Sequence, residues 1–122
     1  MIDLTINCDL VRNILIRFIH SEITRTGFKR AVVNLSGGLD SAVSCALASE
    51  ALGPENVLAI RLPYKTSSAE SLEHAQLLID QLKVQSLTLP ISDMVDPLIA
   101  CFPDMSKIRK GNIMARARMI VA

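Results

Sequence analysis

Six consecutive residues, Ser36-Gly37-Gly38-Leu39-Asp40-Ser41, have the types and spacing to hold an anion. Adjacent glycines allow a tight backbone turn and close approach of a ligand. Where a helix begins, its first amides lack intrahelical partners and point their N–H groups at whatever sits beyond the terminus. The chemistry implied is phosphate binding. A plainer reading makes the stretch an ordinary strand-to-helix turn with Asp40 and Ser41 as capping residues, although such a turn needs only one glycine. Two familiar phosphate loops are excluded. No lysine follows Gly38 as a Walker A loop requires, and no third glycine completes the dinucleotide fingerprint.

The flanks suit the task. Ala31-Val32-Val33-Asn34-Leu35 is a short apolar run that reads as a buried strand, over residues 30–35. Ala42 to Ala48 is small and apolar, reading as a helix to residue 52 that Gly53-Pro54 terminates. Ahead of them, residues 8–24 place Leu10, Ile14, Leu15, Phe18 and Ile19 on one helical face, with Gly27 as the terminal cap. Behind them, residues 57–62 form a second strand stopped by Pro63. A helix opened by Ser68 turns Leu72, Ala75, Leu78 and Ile79 inward, with Glu70, Glu73 and His74 outward. A third strand lies near residues 86–89, and two helices follow at about 93–101 and 110–121. Helices and strands alternate, so the fold class is α/β: right-handed crossovers, a parallel sheet and helices on both faces. Parallel sheets bind ligands at the carboxyl ends of their strands. Both the Ser36 loop and Arg61-Leu62-Pro63-Tyr64 fall there.

Composition sets the bounds. A chain of 122 residues supports a single domain, 1–122. Half of it is hydrophobic and only 3% aromatic, so the core is aliphatic. A net charge of +1 offers nothing to nucleic acid or a membrane surface. No apolar run is long enough to span a bilayer, and Met1-Ile2-Asp3-Leu4 lacks the features of a signal peptide. Cys8, Cys45 and Cys101 are odd in number and set in apolar surroundings, which favours reduced core thiols in the cytoplasm.

The pattern Ser-Gly-Gly-x-Asp-Ser resembles the PP-loop of ATP pyrophosphatases, enzymes that cleave ATP between its α and β phosphates. A second segment, Lys110-Gly111-Asn112-Ile113-Met114-Ala115-Arg116-Ala117-Arg118-Met119, resembles the Gly-Asn-x-x-Ala-Arg-x-Arg-Met signature of NAD synthetases. With Arg61-Leu62-Pro63 between them, three features of that family stand in order, and the resemblance runs from about Phe18 to Ile120. It implies the Rossmann-like, adenine nucleotide alpha hydrolase-like fold, and a ligase that converts deamido-NAD and ammonia to NAD through an adenylate, releasing AMP and pyrophosphate. The resemblance further implies ATP binding by Asn34, Leu35, Ser36, Gly37, Gly38, Leu39, Asp40, Ser41 and Arg61. Asp40 matches the position that helps hold Mg2+, and Arg118 an arginine that contacts the acid dinucleotide. A homodimer in the cytoplasm, with no nucleic acid and no membrane partner, belongs to the same expectation. Free ammonia is expected as the nitrogen source, because glutamine-dependent relatives carry an amidase domain ahead of this one.

Simpler roles compete at several positions. Asp40 could cap a helix, Arg61 could be a surface charge, and Arg109 fits a solvated helix face. Arg116 and Arg118 are two apart and point to different sides. His20 and His74 read as surface residues, and Met114 and Met119 as packing. The family's C-terminal part, with its second acidic metal ligand and further ATP contacts, is lacking. The strand at Ala31 is therefore expected at the edge of the sheet, inviting self-association. Two alternatives follow: a fragment that binds ATP without turnover, or another PP-loop amidotransferase such as a GMP synthetase relative.

Overall fold

The computed structural model describes residues 2–122, so Met1, the first residue of the stretch read for a leader, lies outside the described residues. Helix α1 (Cys8–Arg25) begins with the Asn7 side chain accepting from the Leu10 N–H. It closes at Thr26 and Gly27, the latter at φ +83°. Strand β1 (Ala31–Asn34), helix α2 (Leu39–Leu52), strand β2 (Val57–Arg61), helix α3 (Ala69–Leu82) and strand β3 (Gln85–Thr88) alternate as expected. Helices α4 (Ser92–Ala100) and α5 (Lys107–Val121) complete the chain. A single 3-10 turn at Pro54–Asn56, not anticipated, lies between Gly53 and β2. Its proline at the first position costs nothing, because that N–H has no partner in any helix.

The three strands are parallel in the order β1-β2-β3, with Val33 opposite Ala59 and Ala59 opposite Ser86. Strand β1 is an edge, as expected. Alternation along β2 sends its side chains to two cores. Val57 and Ala59 join Leu35, Cys45, Ala48, Ala75, Ile79 and Val84 beneath α2 and α3. Ile60, with Leu62 beyond the strand, joins Ile91 and Val95 of the opposite face, where Ile113, Met114 and Ala117 of α5 close over them. Helices therefore cover both faces. Cys45, Ala48, Ala59 and Ala75 are small, which lets α2 and α3 lie close on the sheet; each buried aliphatic side chain contributes about 1.5–3 kcal/mol.

Two expectations need correction. Cys45 is a buried thiol, but Cys8 and Cys101 are exposed, because each lies at a helix end outside the cores. On α1, Ile19 is half-buried while Leu10, Ile14, Leu15 and Phe18 are exposed. The helix carries two apolar stripes. The one holding Ile16, Ile19 and Ile23 is half-buried, and Arg12 clamps α1 to α2 through two donors to the Glu50 carboxylate at 2.6–3.2 Å.

Candidate nucleotide site

The loop after β1 is built around Gly37, whose φ of +86° and surroundings admit no side chain. A Cβ there would sit 2.3 Å from the Ser71 carbonyl oxygen in the first turn of α3. The loop thus touches a second helix start. Gly38 is the N-cap of α2 and offers no side chain to cap it. The capping role considered for Asp40 is therefore not the one it has: Asp40 stands exposed in the first turn of α2. Ser41 braces the loop instead. Its Oγ donates to the Gly38 carbonyl at 3.0 Å, accepts from the Ser36 N–H at 3.2 Å and lies 3.0 Å from the Ser36 Oγ. Gly38 N–H donates to Ser36 Oγ at 3.3 Å. The last of these is long for a hydrogen bond, so the Gly38 amide can be given up to a better acceptor.

After β2 the chain makes a second shaped loop. Tyr64 and Ser67 exchange hydrogen bonds at 2.7 and 3.0 Å, closing a turn. Ser68 caps α3 by accepting from the Ser71 N–H. The Tyr64 hydroxyl and the Lys65 ammonium both donate to Asp96 of α4, at 2.7 and 2.9 Å. Those two donors hold the Asp96 carboxyl below its ordinary range, Tyr64 being the stronger cause. Lys65 is raised in turn by its bond to Asp96.

Between the loops lies a cavity of about 230 Å³. Asn34, Leu35 and Ser36 line it from the first strand end, and Arg61 from the second. Ser68 and Ser71 come from the start of α3, and Arg118 comes from α5. The Arg118 Nε donates to the Leu62 carbonyl at 2.9 Å, which carries the last helix's arginine 56 residues back to the strand end. Arg61 donates from Nη1 to Gln76 Oε1 at 2.7 Å, and its buried Nε has no partner among the described residues. Neither arginine is a simple surface charge.

Gly37, Gly38 and Leu39 line an adjoining recess with Ala42 and His74 rather than the cavity itself. Arg116 lies on another side of α5 from Arg118, lining a separate recess with Met94 and Leu98. Arg109, His20, His74 and Met119 are exposed, whereas Met114 packs into the second core. The sequence marked Ser68 as the residue that opens α3, as found, and Tyr64 as lying at the strand end, but not Ser68 as part of the cavity, nor Gln76, Ser71 or the pairing of Tyr64 and Lys65 with Asp96. The Ser68-x-x-Ser71 spacing was a legible capping signal, but the others depend on the crossing of separate elements.

The start of α3, two arginines and the hydroxyls of Ser36, Ser68 and Ser71 line one concave site, with the start of α2 in the adjoining recess, an arrangement that can take a polyanion. Asp40 is among the lining residues of neither the cavity nor the recess. Among the described residues no three His, Cys, Asp or Glu side chains gather to hold an ion. A single carboxylate such as Asp40, completed by substrate phosphates, is the donor set magnesium commonly takes.

The family model described as NAD synthase matches residues 11–122. The NH(3)-dependent NAD(+) synthetase of Chlorobaculum parvum is 52% identical over 118 residues, covering 97% of this chain and 43% of that protein. Among solved structures, the glutamine-dependent NAD+ synthetase of Acinetobacter baumannii in complex with ADP superposes with a TM-score of 0.89 at 26% identity. It covers 99% of this chain and 24% of its own. The NH3-dependent NAD synthetase of Campylobacter jejuni gives 0.88 at 28% identity, over 96% of this chain and 51% of its own. The chain thus spans less than half the length of the Chlorobaculum relative, while nearly all of this chain is matched. With a PP-loop, Rossmann-like fold shared with these structures and a family match over nearly all its residues, the chain belongs to the NAD synthase family.

Proposed function

We propose that the chain carries the ATP-binding part of an ammonia-dependent NAD synthetase, acting on deamido-NAD and ammonia with ATP as co-substrate. The observation that carries this reading is the cavity that brings Ser36, Arg61 and Arg118 together at the strand ends. ATP would lie across those ends with its phosphates turned into the loop, its contacts drawn from Asn34 to Ser41 and from Arg61. The deamido-NAD carboxylate attacks the α-phosphorus, the bond to the β-phosphate oxygen breaks, and pyrophosphate leaves. Ammonia then displaces AMP from the adenylate and gives the amide.

The chain's own residues serve the first step. Main-chain donors of Gly37 and Gly38 meet the charge that builds on the departing pyrophosphate. The Arg61 guanidinium offers a fork to phosphate oxygens. Arg118, held by Leu62, faces the same cavity and would orient the acid substrate. Asp40 would hold Mg2+, which when bound neutralises phosphate charge. The same reading includes a homodimer and a cytoplasmic setting. The homodimer draws support from the edge position of β1 and the exposed Leu10, Ile14 and Phe18.

A second reading is favoured by the share of the relatives that is matched, 43% of the Chlorobaculum protein. In it the isolated polypeptide binds ATP without turnover. Incubation with ATP, magnesium, deamido-NAD and an ammonium salt separates the two. NAD formed only when all four are present, and abolished by Asp40→Ala, supports the ligase. ATP binding without AMP, pyrophosphate or NAD supports the binding module. No ATP binding contradicts both.

A further inference from the structure

The two arginines of the cavity are held differently from two arginines elsewhere in the chain. Arg12 pairs directly with the Glu50 carboxylate, and Arg25 with that of Glu22. Arg61 and Arg118 are instead held by neutral acceptors, the Gln76 side-chain oxygen at 2.7 Å and the Leu62 carbonyl at 2.9 Å. A carboxylate partner would orient a guanidinium equally well but would cancel its charge.

Gln76 lies in the second turn of α3, opposite the end of β2. Its amide nitrogen donates to Asp80 Oδ1 at 2.8 Å, one helical turn further on. An ionised carboxylate only accepts, so Asp80 takes the NH2 end of the amide and leaves the oxygen facing Arg61. The result is a relay of Arg61, Gln76 and Asp80 in which the carboxylate fixes the geometry from a distance. Orientation is transmitted and formal charge is not. The Arg61 side chain is half-buried, which makes its remaining charge more costly to leave unmatched and more effective towards an anion.

We propose that Gln76 is a positioning residue that holds Arg61 towards the bound polyphosphate with its charge undiminished. The inference rests on the ATP-binding reading above. A purely structural role and this one make opposite predictions for Gln76→Glu. That substitution keeps the shape and the hydrogen bond to Arg61, so a structural role makes it milder than Gln76→Ala. A role in preserving charge makes it worse, because the new carboxylate neutralises Arg61.

The test is calorimetric titration of the full chain with Mg-ATP, for the unmodified protein, Gln76→Glu, Gln76→Ala, Arg61→Ala and the Gln76→Ala/Arg61→Ala pair. Thermal midpoints confirm that each variant is folded. The expected result is a loss of affinity of about tenfold for Gln76→Glu and about threefold for Gln76→Ala. In the Arg61→Ala background Gln76→Ala should have no further effect, since Gln76 acts only through that arginine. Unchanged affinity in Gln76→Glu, or losses that simply add in the double variant, overturn the proposal while leaving ATP binding intact. If the unmodified chain binds no Mg-ATP, the functional reading falls and this inference with it.

Discussion

The adjacent glycines of the loop face different constraints, although a sequence motif treats them alike. Gly37 combines φ of +86° with a backbone oxygen 2.3 Å from where a Cβ would stand, and neither can yield without moving α3. At Gly38 a Cβ would meet only the Ser36 hydroxyl at 3.4 Å, an ordinary contact. Gly37→Ala should therefore destabilise the protein by about 2–4 kcal/mol and abolish ATP binding, from strain and displacement together. Gly38→Ala should change stability by less than about 1 kcal/mol. Urea unfolding of the two variants checks this, and equal losses would mean the loop does not bear on α3. The glycine pair was legible in the sequence as a phosphate loop, because local backbone needs leave a local signature. Gln76 was not legible: its partner lies 15 residues away and is reached only when α3 crosses the end of β2. Arg118 stood between these cases. A motif marked it, but its tether to the Leu62 carbonyl needs the whole second core to assemble.

Among the elements, α3 and α5 each contain a residue at odds with its local backbone. Lys83 caps α3 in the left-handed region at φ 57°, where glycine is the usual occupant. Gly111 lies inside α5, and a Cβ added there meets nothing within 4 Å. Lys83→Gly and Gly111→Ala should each stabilise the fold by about 0.5–1 kcal/mol, read as a rise in thermal midpoint. A fall for Gly111→Ala would show that the open space beside α5 is filled in the working protein. The loop after β2 is tied to α4 through Asp96, whose depressed carboxyl gives a pH signature. A lowered pKa in the folded state contributes stability that is complete above the ordinary value of 3.8 and is lost as acid protonates the group below it. Asp96→Asn should lower the urea midpoint at neutral pH and flatten its decline below about pH 4. Parallel declines in both proteins would remove Asp96 from the account. Helix and strand order was readable because apolar periodicity changes between elements. The exposure of Leu10, Ile14 and Phe18 was not, since an amphipathic helix does not state which of two apolar stripes will find a partner.

At the scale of the molecule, β1 is an edge whose Val32 is half-exposed, and α1 leaves an apolar stripe uncovered. Such an edge favours pairing with another chain. Sedimentation at micromolar concentration should show self-association, and a strictly monomeric species would count against the dimer in the proposed reading. The aliphatic composition was a sound guide to the two cores, and the alternation of elements to the parallel sheet, because both follow from burial on two faces of one strand. If the two strand-end loops form one ATP site, amide shifts of the 15N-labelled chain during Mg-ATP titration will report it. Saturable shifts are expected at Asn34 to Ser41, Arg61 and the start of α3, and their loss in Asp40→Ala. No shifts, or shifts centred away from these strand ends, would contradict it.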